Sequence, residues 1–350
     1  MYLRNAWYVA ATIDELASAR LLARTLLDEP IVFFRDARTG KVAALEDRCC
    51  HRGAPLSLGE ILDAGLMCGY HGLVFDRSGA CVEMPGSHGR IPASARVRSY
   101  PVAEQGGFVW IWMGERDPAA DHLIPSIPQY SAADDQQPRR SHGVMHVKAN
   151  YVLFLENLMD LTHLPYVHKT TIGGNAVDHS GAEMETSDTP TGVRFARLML
   201  DALPPPGYAR RYGFTGKIDR WEQFEYVAPA SVLQFTGAVN AGDYRKGVRS
   251  GYHHLRGIHT FAPETARSCF YFYSFIDGFR GAGAATNTVM AEPAVLREDA
   301  NLIEQQQLRL EGYDMERLTA IPSDVARVHM GRYLQRKIAE EQQARKAAAK

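Results

Sequence analysis

One cysteine–histidine pattern, written twice in a short space, constrains this chain more than anything else in it. Residues 49–55 read CCHRGAP and residues 68–72 read CGYHG. Neighbouring side chains rarely aim at one point, whereas a one-residue spacer lets two side chains of a turn converge. The first pair is therefore read as Cys49-x-His51, with Cys50 as the spacer, and the second as Cys68-x-x-His71.

Two thiolates and two imidazoles fit two metal answers. One is a structural zinc ion in a tetrahedral site. The other is a [2Fe–2S] cluster with cysteines on one iron and histidines on the other. Zinc sites usually group cysteine with cysteine and histidine with histidine. Here each loop offers one of each, in the same order, which suits a two-iron rhombus gripped from two sides.

The surroundings of these loops are strand-like. IVFFRD (31–36), KVAALED (41–47), LVFDRSGACVEM (73–84) and GFVWIWMG (107–114) are β-branched or aromatic runs broken by turn residues. Residues 1–115 are expected to form an all-β domain, with the Cys/His stretches in its turns. Residues 116–140, rich in proline, acids and glutamine, read as a connector, and 141–350 as a second domain. There NYVLFLENLMDLTHLPY (150–166) has helical periodicity and ends at Pro165. Strand-like runs follow at 192–200, 219–229, 231–239 and 267–279, and helical segments at about 291–312 and 323–349. The expected class is α+β, an antiparallel sheet with flanking helices.

A second constellation lies in ENLMDLTHLPYVHK (156–169), where Asn157, Asp160 and His163 recur every third residue. His168 follows beyond Pro165. Two histidines from a helix end need one carboxylate to complete the facial triad of non-haem iron(II). LREDANLIEQQQ (296–307) offers Glu298 and Asp299. Helical phasing puts Val295, Leu296, Leu302 and Ile303 around Asp299, an inward face, and leans Glu298 toward solvent. A carboxylate aimed into a core needs a partner such as a metal. Asp299 is the expected third ligand.

Bulk properties exclude several classes. A net charge of −1 over 350 residues leaves no electrostatic footprint for nucleic acid. The longest apolar runs fall short of a membrane span, and MYLRNAWYVA lacks the apolar core of a signal peptide. Five cysteines are too few for a disulfide scaffold, so a cytoplasmic setting is expected. No G-x-G-x-x-G is present, so nicotinamide oxidation falls to another protein.

RNAWYVA (4–10), CCHRGAPL (49–56), CGYHGLVFD (68–76), GACVEMPG (79–86) and WIWMG (110–114) resemble the Rieske-type non-haem iron oxygenases. The likeness is to the branch of vanillate O-demethylase, dicamba O-demethylase and toluenesulfonate methyl-monooxygenase, and it runs over essentially the whole chain. It implies a Rieske [2Fe–2S] domain on Cys49, His51, Cys68 and His71, and a helix-grip catalytic domain whose Fe(II) is held by His163, His168 and Asp299. The inter-loop disulfide of cytochrome-complex Rieske proteins would fall at Ala54 and Tyr70, so it is not expected. Glu156 stands where the family commonly has aspartate, at a position that is not a ligand.

The resemblance further implies a head-to-tail homotrimer in which His71 of one subunit meets Asp160 of the next, with Asn157 beside the iron. A hydrogen bond from Asp160 to His163 is expected. A separate flavin and iron–sulfur reductase, or a ferredoxin, would supply electrons. The implied reaction is monooxygenation of an alkyl group on an aromatic substrate, an aromatic acid being the expected class. Pocket walls are expected from Gln234, His259, Phe270, Phe272 and Met290, with His259 the expected polar contact to substrate, while His253 and His254 could lie at the surface. The competing readings are a ring cis-dihydroxylating dioxygenase and, from another class, a zinc-stabilised binding or scaffold protein.

Overall fold

The computed structural model describes the chain apart from residues 116–117, 119–123, 126–138, 250–252, 278–292 and 349–350. It divides into two compact units: Met1–Ser126 with Ala262–Ala266, and Ile127–Phe261 with Arg267–Lys350. Among the described residues no helix is long and apolar enough to cross a membrane.

The first unit is built from short antiparallel strands in three sheets. β1 (Trp7–Thr12) is followed by α1 (Ile13–Ser18), which starts at a capping box between Thr12 and Glu15. β2 (Leu21–Leu26), β3 (Glu29–Arg35) and β4 (Val42–Glu46) come next, and IVFF in β3 is buried throughout. β5 (Glu60–Leu62), β6 (Gly65–Met67), β7 (Val74–Phe75) and β8 (Cys81–Glu83) form a small four-stranded sheet in that order. β9 (Ser99–Tyr100) pairs with β4, while β10 (Val102–Gln105) and β11 (Phe108–Trp112) join β1. The run over 73–84 forms two strands, because the Asp76 carboxylate accepts the Ser78 and Ala80 amides and turns the chain.

The second unit is a seven-stranded sheet with helices. β12 (Arg139–Val147) leads into α2 (Tyr151–Leu158) and α3 (Leu164–Val167), then α4 (Ala176–Ser180). β13 (Glu183–Thr189), β14 (Gly192–Ala202), α5 (Pro206–Tyr212), β15 (Ile218–Val227), β16 (Ser231–Asn240), β17 (His253–Thr265) and β18 (Ser268–Asp277) follow. Two long helices close the chain, α6 (Pro293–Leu310) and α7 (Val325–Ala348). The strand order is β12-β18-β17-β16-β15-β14-β13, and α2 packs against both α6 and α7.

β12, α4, α5, β13 and β17 escaped the sequence patterns, and the helix expected over 150–166 is shorter than its pattern. β13, EMETSDT, is a mostly exposed edge strand with almost no apolar residue to mark it. β17 begins HHLRG, where glycine and charge mask the strand. The single helix expected over 150–166 stops at Leu158. Asp160 then accepts the Thr162 amide at 2.9 Å, opening a short 3-10 turn over Leu161–His163, and such a local side-chain bond competes with helix continuation. Pro165 does not end that helix; it sits in the first turn of α3, where its missing N–H costs nothing.

Candidate metal centres

The two Cys/His loops share one backbone design. Cys49 N–H donates to Ala54 O and Gly53 N–H to Cys49 O; Cys68 N–H donates to Leu73 O and Gly72 N–H to Cys68 O. Each loop therefore closes with an i+5 and an i+4 bond around its cysteine. The glycine four residues on must be left-handed in both, with φ +71° at Gly53 and +73° at Gly72, which a side chain would resist. The duplicated sequence is thus a duplicated grip.

Both gripping thiols are buried, Cys49 at 2 % exposure and Cys68 at 1 %, whereas Cys50 faces solvent. Burial separates the adjacent cysteines as the spacing does. Burial also pushes the Cys49 thiol up to about 11; the His51 amide opposes that and nearby Cys68 adds to it. Iron in place of those protons would supply the positive charge such thiolates need. His51 and His71 lie on the exposed rim with ring centroids 4.5 Å apart, and Tyr70 packs on His71 at 3.9 Å. Cys81 is buried too, but its thiol faces Glu83 O.

In the second unit His163, His168 and Asp299 bring one potential ligand atom each within 4.8 Å of one another. Asp299 Oδ1 lies 3.4 Å from His163 Nε2 and 3.2 Å from His168 Nε2. His163 Nδ1 donates to the Asp160 carbonyl at 2.7 Å, and His168 Nδ1 faces Glu298 Oε2 at 2.5 Å. With both Nδ1 atoms turned outward, both Nε2 atoms converge on the Asp299 carboxylate, to which they donate when protonated; a bound metal would replace those protons and take the Nε2 lone pairs. Burial alone would raise the Asp299 pKa, yet hydrogen bonds from both histidines hold it well below the usual carboxylate range. Burial likewise opposes charge on His168, but Asp299 and Glu298 together raise its pKa. Paired charges of this kind mark where a cation would stand in for protons.

Three expectations need correction here. The Asp160 side chain does not reach His163; Oδ1 accepts Thr162 N–H and Oγ1, Oδ2 accepts Ser323 Oγ, and only the Asp160 carbonyl meets the histidine. Glu298 is not a solvated bystander, because it accepts from His168 and from Thr171 Oγ1. Leu302 is 49 % exposed, so the inward face of α6 around Asp299 comprises Val295, Leu296 and Ile303. Asn157 Nδ2 donates to Asp299 Oδ1 at 3.3 Å, which places it beside the three candidate ligands. Replacing Glu298 with Gln should lower iron affinity or turnover roughly 10–100-fold, as for other groups that orient a ligating histidine. Iron content and kcat of E298Q, with cluster absorbance as control, check this.

The histidine–carboxylate group opens into a cavity of about 540 Å³, including its mouth. Phe154, Leu158, Leu161 and Ile172 give it apolar walls, and Gln234 and His259 also line it. The expected aromatics are out of phase: Tyr271 lines the cavity, and Phe270 and Phe272 on either side of it do not. Tyr271 and Phe272 are both fully buried, so burial could not distinguish the faces of β18. Met290 lies outside the described residues. His259 is buried with both nitrogens engaged, Nδ1 with Tyr271 Oη at 2.6 Å and Nε2 with Gln234 Oε1 at 2.7 Å. Burial drives its pKa down to about 3, so it is a neutral strut in the wall. His253 is buried rather than superficial, between Tyr208 and Tyr212. Arg220 and Glu222, which the sequence reading passed over, line the same cavity. Their signal was the alternation of charged residues through DRWEQFEY, an odd feature in a central strand.

Comparison with known proteins gives the same division. Residues 6–101 match the Rieske [2Fe-2S] domain, and residues 147–340 the vanillate O-demethylase oxygenase C-terminal domain. A vanillate O-demethylase oxygenase subunit of Pseudomonas sp. (strain HR199) is 36% identical, over 99% of this chain and 98% of its own. The dicamba O-demethylase oxygenase component of Stenotrophomonas maltophilia is 35% identical, over 88% and 89%. The crystal structure of dicamba monooxygenase bound to 3,6-dichlorosalicylic acid superposes with a TM-score of 0.84 at 32% identity, covering 97% of this chain and 99% of that one. Two matched grips on one unit and a histidine–carboxylate cavity on the other thus have their place: the chain belongs to the Rieske-type non-haem iron oxygenases of the vanillate O-demethylase branch, oxidoreductases whose cofactors are a [2Fe–2S] cluster and a mononuclear iron.

Proposed function

We propose that this chain is the terminal oxygenase of a multicomponent system and oxidises an alkyl group carried by an aromatic ring, by O-demethylation or methyl hydroxylation. Cys49, His51, Cys68 and His71 hold the cluster; His163, His168 and Asp299 hold the iron. When bound, the cluster passes single electrons and the ferrous ion activates oxygen. The overall change for a methyl ether is ROCH3 + O2 + 2 electrons + 2 protons giving ROH, formaldehyde and water. The names of the relatives, vanillate and dicamba O-demethylases and a toluene-4-sulfonate monooxygenase system of Comamonas testosteroni, support this class of substrate.

The observation that carries the reading is the histidine–carboxylate group placed in the wall of a cavity with apolar walls from Phe154, Leu158, Leu161 and Ile172. Phe154, Leu158 and Leu161 exclude water and hold the ring, Asn157 steadies Asp299, and the outward bonds of His163 and His168 keep their Nε2 atoms aimed inward. The test is turnover of methoxylated and methylated aromatic compounds with a reductase supplied. Formaldehyde or a benzylic alcohol is expected. A ring cis-diol would establish the dioxygenase reading instead.

Electrons would arrive from a separate reductase or ferredoxin at the exposed His51–His71 rim. A head-to-tail trimer, with Asp160 beside His71 of the neighbouring subunit, is the assembly that would join the two centres. Asp160→Asn should then keep both metals and the trimer and slow turnover by at least roughly 10–100-fold. Unchanged single-turnover electron transfer in that variant contradicts the bridging role.

A further inference from the structure

Across the cavity sheet runs a row of charged side chains that the oxidation chemistry does not use. Arg220, Glu222 and Phe224 occupy alternate positions of β15 and all line the cavity, as strand geometry requires of residues on one face. Arg197 of β14 lies directly opposite Glu222 in the strand pairing. Arg220 Nη2 meets Glu222 Oε1 at 2.6 Å and Arg197 Nη1 meets Glu222 Oε2 at 3.4 Å. Arg197, Arg220 and Glu222 are all at most 3 % exposed.

Within this group the charges do not cancel, since two guanidinium groups share one carboxylate. The nearby histidine adds no negative charge: His179 Nε2–H donates to Gly173 O, and its Nδ1 accepts from Arg197. Burial, followed by Arg220, lowers its pKa to about 4. Asp219 is turned away, accepting the Asp201, Gly242 and Tyr244 amides. Asp160 offsets charge on Arg197 only at longer range, as the last of the influences on it. Arg220 has a donor to spare even so: against burial, Glu222 and Tyr208 support its charge, the Tyr208 ring centroid lies 4.9 Å from the guanidinium carbon and Nη1 reaches Gly173 O at 3.3 Å, but Nε is buried without a hydrogen-bond partner among the described residues. An uncompensated buried cation is costly unless something of opposite charge comes to it. The expected substrate contact, His259, cannot play that part, with both nitrogens already engaged in the wall.

We propose that Arg220, set in place by Glu222 and Arg197, is the specificity-determining anchor for an anionic ring substituent, a carboxylate or sulfonate, of the substrate. This rests on the cavity being the substrate site of the proposed oxygenase. Arg220 presents a fork of donors to an oxyanion inside a site walled from water, where charge-assisted bonds are strongest. The anion fixes which end of the ring enters first and so which alkyl group faces His163, His168 and Asp299. Neutral ethers of the same shape would leave the second positive charge of the group unmatched and be rejected.

The test is equilibrium binding to the iron-loaded enzyme by calorimetry. The probes are 3-methoxybenzoate against 3-methoxybenzamide, and 4-methylbenzenesulfonate against 4-methylbenzenesulfonamide. The wild type should bind at least one acid roughly 10–100-fold more tightly than its amide, and the two pairs separate carboxylate from sulfonate. Arg220→Gln should bring that ratio close to one, with Arg220→Lys intermediate because a point charge lacks the fork. No acid preference in the wild type, in either pair, overturns the proposal even if Arg220→Gln cannot be folded. A preference that survives in Arg220→Gln overturns it too. Formaldehyde and alcohol assays keep the two readings apart. Neutral ethers oxidised as well as acids leave the oxygenase standing without the anchor. Acids bound tightly but never oxidised leave the anchor standing without the oxygenase.

Discussion

Cys49→Ser yields a chain without the visible absorbance of a cluster and without turnover, while Cys50→Ser keeps both. The two residues are adjacent and chemically identical, so only position can separate them. Cys49 is buried at the foot of a loop whose amide and carbonyl are both tied down, to Ala54 and Gly53, and Cys68 repeats that arrangement with Leu73 and Gly72. Cys50 is exposed. A cluster held from two sides does not survive loss of one cysteine, so the expected loss of electron transfer is essentially complete. Absorbance and acid-labile sulfide in the two purified variants read it directly; cluster loss in C50S with retention in C49S would invert the ligand assignment.

The second large effect is expected at Asp299. Asp299→Ala removes the one carboxylate toward which both Nε2 atoms point, leaving two histidines without the third ligand of a facial site. Mononuclear iron should fall to trace levels, and turnover should drop by well over the roughly 100-fold upper range seen when a mere orienting group is lost. The cluster should remain, because its ligands belong to the other unit. Val295, Leu296 and Ile303 keep that face of α6 packed, so helix loss is not expected to account for the defect. Iron analysis with the cluster spectrum as internal reference checks it, and an iron-replete D299A would remove Asp299 from the site.

How much of this could be read beforehand depends on how local each determinant is. The two Cys/His grips were legible because each lies within a single loop, where spacing alone carries the geometry. His163 and His168 were legible for the same reason, although the helix supposed to present them is broken at Asp160. The broken helix shows the limit: a side chain that can cap a new turn outweighs continued apolar periodicity, and the same residue types permit either result. Asp299 needed only the phase of one helix. Glu298 differs because its partners, His168 and Thr171, lie on another element, and helical phase reports the side a residue faces, not what waits there. Arg220 and Glu222 were hidden for the related reason that a charged alternation in a strand normally marks a solvated face. Here that face lines a cavity, and only the register of β14 against β15 brings Arg197 to Glu222.

The error over Phe270 and Phe272 is of the opposite kind. Period-two alternation was correct, but β18 is covered on both faces, so consecutive aromatic residues from Phe270 to Tyr273 offered no phase. Tyr271 reaches the cavity wall and ties itself to His259, making a residue expected to touch substrate into part of the frame.

The claim on which the rest depends is that one chain holds a two-iron cluster and a separate mononuclear iron. Iron and acid-labile sulfide should be counted together in the purified protein and in its C49S and D299A variants. About three irons and two sulfides per chain are expected for the wild type, about one iron and no sulfide for C49S, and about two irons with two sulfides for D299A. Zinc in place of iron, or iron without sulfide in the wild type, would contradict the account.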